Sequence, residues 1–139
     1  MIQNLGIEYR EAMRAIDAII SEVARRGKAA VIAVADSHGE LIALARMDNA
    51  PLSSILVATN KAWTAARAGK PTREIGETVR DPEKGFDIAY YGDPRSVGWG
   101  GGVPVRKEGK VVGSVAVSGL PELEDMEVVA LGVAAIAAP

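Results

Sequence analysis

Lys28–Met47 reads KAAVIAVADSHGELIALARM, and the way this stretch folds back on itself sets the architecture. Lys28 to Ala35 is nearly all apolar, the composition of a strand buried on both faces or central in its sheet. Asp36-Ser-His-Gly39 supplies turn chemistry, with Gly39 free to take a positive φ. Glu40 to Met47 then returns as a second strand, which makes the stretch a β-hairpin.

Upstream, from about Asn4 to Arg26, apolar residues fall at Ala12, Ile16, Ile19, Ile20 and Val23, one face of an amphipathic helix. Asn4 is its expected N-cap and Gly27 its stop. Downstream, Pro51 suits the first turn of a helix that ends at Gly69. Pro71-Thr72 starts a short helix, with Thr72 as its cap. Asp81 to Gly102 is rich in Gly, Tyr, Asp and Pro, and a loop of this length inside a small domain usually has a function or moves. Gly102–Lys107 and Lys110–Ser118 form a second hairpin turned at Glu108-Gly109. Pro121 to Ala138 closes the chain as a helix with Met126, Val129, Val133 and Ile136 on one face. No βαβ repeat is present, so the expectation is a single α+β domain over residues 1–139 with a mainly antiparallel sheet.

The chain has 139 residues, 48% apolar, with two Trp, three Tyr and one Phe. Its core must therefore be aliphatic, and a chain of this size buries roughly 70% of its unfolded surface. A net charge of −2 without a basic block argues against a nucleic-acid partner. The absence of cysteine excludes disulfides and thiolate chemistry. A single histidine, His38, excludes a multi-histidine zinc site within one chain, and no metal site is expected. Charges come too early for a signal peptide and no apolar run spans a bilayer, so the expected location is cytoplasmic, without a membrane partner.

Several residues carry chemistry. Val97–Val105, VGWGGGVPV, lacks the following helix that a phosphate loop needs. Its glycines either shape the entrance of a strand or let a ligand lie against the main chain, with Trp99 as a flat wall. Arg46 interrupts an apolar strand and calls for a carboxylate, either internal or from a ligand. Asp48 either shares that side of the strand or caps the next helix. Lys61 is either a solvated helical lysine or one that points into a cleft among alanines. His38 reads as a solvated turn residue. Tyr90 and Tyr91 are lid residues, phenolate ligands to iron, or loop packing. Glu122, Glu124 and Asp125 suit the positive end of the last helix.

Three stretches together resemble a known family: VIAVADSHGELIALARMDNAP (Val31–Pro51), KAWTAARAGKPT (Lys61–Thr72) and GGVPVRKEGKVVGSVAVSG (Gly101–Gly119). They are similar to the haem-degrading-domain family, with its GlcG-like and HbpS-like members and the C-terminal domain of one type of corrinoid adenosyltransferase. The resemblance runs from about Glu11 to Ala138. It implies a profilin-like antiparallel sheet of about five strands flanked by helices, assembly into homo-oligomers, and ligand pockets near subunit contacts. Here the hairpin turn carries Ser37-His38 where many members have glycine.

The first function implied is a small-ligand pocket protein binding haem or a small carboxylated metabolite, with Trp99, Gly100, Gly101, Gly102, Tyr90 and Tyr91 as ligand contacts. The second is a cofactor-independent catabolic enzyme, an isomerase or an enamine or imine hydrolase, acting on an unsaturated carboxylate. Arg46 would clamp the carboxylate, Lys61 would act as a second cation or acid/base group, and Asp48 or Asp125 would move protons. The N–H groups of Gly100 to Gly102 would stabilise an enolate. No cofactor is required for that chemistry, although the resemblance admits haem. A structural or regulatory oligomer without a ligand is the third reading.

Overall fold

The computed structural model describes residues 5–137. The elements in order are α1 (Tyr9–Arg25), β1 (Val31–Asp36), β2 (Leu41–Arg46), α2 (Ser53–Ala68), α3 (Thr72–Val79), a 3-10 turn (Ile88–Tyr91), β3 (Gly102–Lys107), β4 (Lys110–Ser118) and α4 (Glu122–Ala137). The sheet is antiparallel, in the order β2-β1-β4-β3. The class is the expected α+β, with four strands among the described residues rather than about five. No fifth strand forms in 81–101 because its backbone is spent on local turns. Asp81, Asp87 and Asp93 each accept hydrogen bonds from N–H groups two or three residues ahead, which competes with ladder pairing.

β1 is central, paired with both β2 and β4, as its unbroken apolar run demands. Its alternate residues serve two cores. Ile32 and Val34 join Val115 and Val117 of β4 against α1 and α4. Val31, Ala33 and Ala35 join Ala116 against Ala58 and Ala62 of α2. The aliphatic face holds the larger side chains, each worth about 1.5–3 kcal/mol when buried. The alanine face instead lets α2 lie close to the sheet. The hairpin turns at Gly39, φ +88°, while Asp36 Oδ1 accepts from the N–H groups of His38 and Glu40.

Three helix starts differ from expectation: Pro51 lies just before α2, which begins at Ser53 with Leu52 at its cap position. Asn4 lies outside the described residues, and α1 begins at Tyr9, where the Glu11 carboxylate accepts the Glu8 N–H at 2.8 Å. Thr72 is the first residue of α3, and Pro71 occupies the cap position. The Thr72 hydroxyl is used elsewhere, on the strand entrance described next.

Candidate functional site

α2 carries Ala58, Ala62 and Ala65 toward the sheet at helical spacing, and Lys61 lies on that buried face. The Lys61 side chain is only 2% exposed. Its Nζ donates to the Val117 carbonyl at 2.9 Å and to Asp125 Oδ2 at 3.3 Å. Asp125, in the first turn of α4, also accepts the Leu120 N–H through Oδ1 at 3.1 Å. Each group is thus satisfied by the other and by one backbone group, which is how a buried ion pair is tolerated.

Burial dominates the electrostatics of the pair. It pushes the Asp125 carboxyl up to about 6, against the opposing pull of Lys61 and of the Leu120 N–H. It also lowers Lys61 from the ordinary lysine range, against the attraction of Asp125. Both shifts favour the neutral forms, and the Asp125 carboxyl titrates within reach of neutral pH.

The pair forms the floor of a cleft of about 430 Å³, walled by Ser53, Ser54, Ser118, Glu122 and Trp99 among others. The N-terminal ends of α2 and α4 both meet here, and their dipoles add positive potential. Glu122 accepts the Gly100 N–H at 2.7 Å and pairs with Arg73 at 3.0 Å. The Gly100 hydrogen bond first, and then Arg73, hold its carboxyl below the usual range.

The glycine stretch is built around this pair. A Cβ on Gly101, whose φ is +122°, would stand 2.7 Å from the Val117 carbonyl, 2.9 Å from Lys61 Nζ and 3.0 Å from the Asp125 Cβ. Only a bare backbone passes there. Gly102 donates to the Thr72 hydroxyl at 2.9 Å. The N–H groups of Gly100 and Gly102 are therefore already engaged within the chain, which removes two of the three donors expected for an enolate.

The other candidates fall elsewhere. Arg46 and Asp48 are exposed and line a separate depression with Met47, Asn49, Ala50 and Leu52. They do not line the Lys61 cleft, because the turn through Asn49, φ +69°, separates the end of β2 from α2. Tyr90 is 83% exposed, and Tyr91 packs edge-on against Phe86 with ring centroids 5.6 Å apart. Tyr91 lines a different hollow, of about 280 Å³, with Trp63 and Arg67. His38 is exposed in its turn, and among the described residues no cluster of His, Asp and Glu is placed to hold a metal. No helix among the described residues is long and apolar enough to cross a membrane.

Sequence reading missed what pins the long loop. The Thr64 hydroxyl donates to the Arg95 carbonyl at 3.0 Å and accepts the Val97 N–H at 3.1 Å, and Arg80 holds the Gly98 carbonyl at 3.1 Å. The Arg95 guanidinium lies 4.2 Å from the centroid of the buried Trp63 ring, and that of Arg67 4.9 Å. The only signal available was Thr64, one helical turn beyond Lys61 on an alanine-rich helix.

These features define a small α+β protein with a buried Lys–Asp pair at the base of a polar cleft. Residues 7–134 match the family described as haem degrading protein HbpS-like, and the chain belongs to that family. An uncharacterised 15.0 kDa protein from the dhaT–dhaS intergenic region of Citrobacter freundii is 37% identical over 89 residues, 64% of this chain and 63% of that protein. The chain spans less than two thirds of the length of the curated relatives it matches. The crystal structure of protein ORFY from Klebsiella pneumoniae superposes with a TM-score of 0.92 at 27% identity, covering 99% of this chain and 96% of that one. A PduOC–haem complex has the same fold, with a TM-score of 0.88 at 24% identity over 94% and 95% of the two chains.

Proposed function

We propose that this chain is a small-ligand pocket protein whose cleft receives the carboxylate of a small metabolite between the N-terminal ends of α2 and α4. The observation that carries this reading is the buried Lys61–Asp125 pair at the floor of an open polar cleft. An incoming carboxylate competes with Asp125 for Lys61. Two carboxylates facing one ammonium leave a buried excess charge, which is relieved when Asp125 takes up a proton. Because that carboxyl already sits near 6, the proton comes at little cost close to neutral pH. Binding is thus coupled to uptake of one proton.

The same coupling supports a catalytic extension. A carboxyl poised near neutrality beside a bound unsaturated carboxylate can relay a proton, as isomerisation or enamine hydrolysis requires. Asp125 is the acid/base group of that scheme, and Lys61 orients it and carries the countercharge.

A second reading keeps haem as the ligand, supported by the family description and by the haem complex of PduOC. Trp99, which is 60% exposed, and the neighbouring loop with Tyr90 and Tyr91 offer aromatic surface for a porphyrin. Assembly into homo-oligomers fits the exposed Leu52 and Leu123, chain neighbours of the cleft residues Ser53 and Glu122.

Calorimetric titration with crotonate at pH 5.5 and 7.5, in buffers of different ionisation enthalpy, tests the first reading. Saturable binding that tightens as pH falls through about 6, with net proton uptake, is expected. Lys61→Met is expected to abolish it and Asp125→Asn to remove its pH dependence. Absence of saturable binding at both pH values, or binding unchanged in Lys61→Met, refutes it. A saturable Soret change on adding hemin, lost in Trp99→Ala, would favour the second reading instead.

A further inference from the structure

Beside the polar cleft runs a second cavity, a groove of about 470 Å³ whose lining is mostly apolar. Leu56, Val57, Val79, Phe86, Ile88 and Trp99 supply its apolar surface. Two of these, Val57 and Trp99, also line the Lys61 cleft, so the groove and the cleft share a wall. Phe86 is 40% exposed, Trp99 60% and Leu56 65%, so three large apolar side chains meet solvent along one continuous depression. The groove is held open from both sides. Arg80 is tied to the Gly98 carbonyl at 3.1 Å, and Thr64 fixes Val97 and Arg95 against α2.

The two cavities have opposite chemistry on either side of one wall. The cleft offers a buried ammonium paired with Asp125, the Glu122 carboxylate tied to Gly100 and Arg73, serine hydroxyls and two helix N-termini, whereas the groove offers mostly aliphatic and aromatic carbon. A ligand of two to four carbons would sit within the first and leave the second wet. We infer that the site is bipartite and selects an amphipathic carboxylate, its head at Lys61 and an apolar arm of about a ring's length lying over Trp99 into the groove between Leu56 and Phe86. This rests on the proposal that the cleft takes a carboxylate, and adds the class of molecule attached to it. Leu56 touches only the arm, and so it sets chain-length preference without affecting capture of the head group.

The test is a series of straight-chain carboxylates, butyrate, hexanoate and octanoate, with 3-phenylpropionate, titrated into the intact chain and into Leu56→Asp at pH 5.5. In the unaltered protein each added methylene that enters the groove is expected to tighten binding about fourfold. 3-Phenylpropionate is expected to bind at least tenfold more tightly than butyrate. Leu56→Asp is expected to flatten the series while leaving butyrate affinity within about twofold, because the carboxylate introduced faces the arm. Butyrate binding that depends on Lys61, with no gain along the series, overturns the bipartite site and leaves the carboxylate cleft standing. A gain that persists undiminished in Leu56→Asp overturns the groove as the seat of the arm. If no member of the series binds, the cleft reading and the bipartite site fall together.

Discussion

Lys61→Met keeps most of the side chain's length and removes the charge opposite Asp125, which makes it the sharpest test of the buried pair. With Lys61 present the Asp125 carboxyl sits near 6, against about 3.9 for an unfolded aspartate. At pH 7 the folded chain holds Asp125 ionised, at a cost of about 3 kcal/mol relative to the unfolded chain. Without Lys61, burial is no longer offset, the carboxyl rises above neutrality, and folding takes up a proton. That costs about 4 kcal/mol at pH 7. At pH 5 the folded carboxyl is protonated in both proteins, and the cost is the same in each, about 1–2 kcal/mol. The lost hydrogen bond to Val117 contributes equally at pH 5 and pH 7. The penalty of Lys61→Met should therefore be about 1 kcal/mol larger at pH 7 than at pH 5. The direction follows from linkage: a raised carboxyl gives stability that is present below its unfolded value and lost as pH rises through about 6. Urea unfolding followed by circular dichroism, on both proteins at both pH values, measures the difference of differences. A penalty independent of pH, or larger at pH 5, refutes the coupling of the pair.

Two further substitutions probe the frame around it. Gly101→Ala forces a Cβ against the Val117 carbonyl at a φ of +122°, so a loss of about 3 kcal/mol, or roughly 10 °C in Tm, is expected in thermal melts; an unchanged Tm would show that the loop moves aside freely. Thr72→Val leaves the buried Gly102 N–H without its acceptor and should cost about 1–3 kcal/mol. Amide exchange at Gly102 should speed up accordingly, with Thr72→Ser restoring the wild-type rate.

Much of the fold was legible because its signals are local. The apolar spacing of α1, the turn at Asp36–Gly39, the αL stop at Gly69 and the Glu108-Gly109 hairpin each depend on a few neighbouring residues. The three motif stretches fixed the family for the same reason, since each preserves a local geometry. The expected fifth strand is missing among the described residues, because three aspartates turn the loop backbone onto itself.

The site was only half legible. Lys61 and Asp125 were both singled out, but with separate explanations: one as a helical lysine among alanines, the other as a charge suited to a helix end. Their meeting across 64 residues is a tertiary fact. Arg46 looked the better cation in sequence, since it breaks an apolar strand, yet it is exposed and lines another depression. VGWGGGVPV taken by itself suits either backbone shape or ligand contact. Its central glycine turns out to be demanded by the ammonium and carboxylate packed behind it. The sequence alone determined the elements, their order and the family, because periodicity and turn chemistry act over a few residues. Which charges are buried, and which face water, was decided only when α2 and α4 closed over the sheet, because burial depends on what the rest of the chain places opposite each side chain.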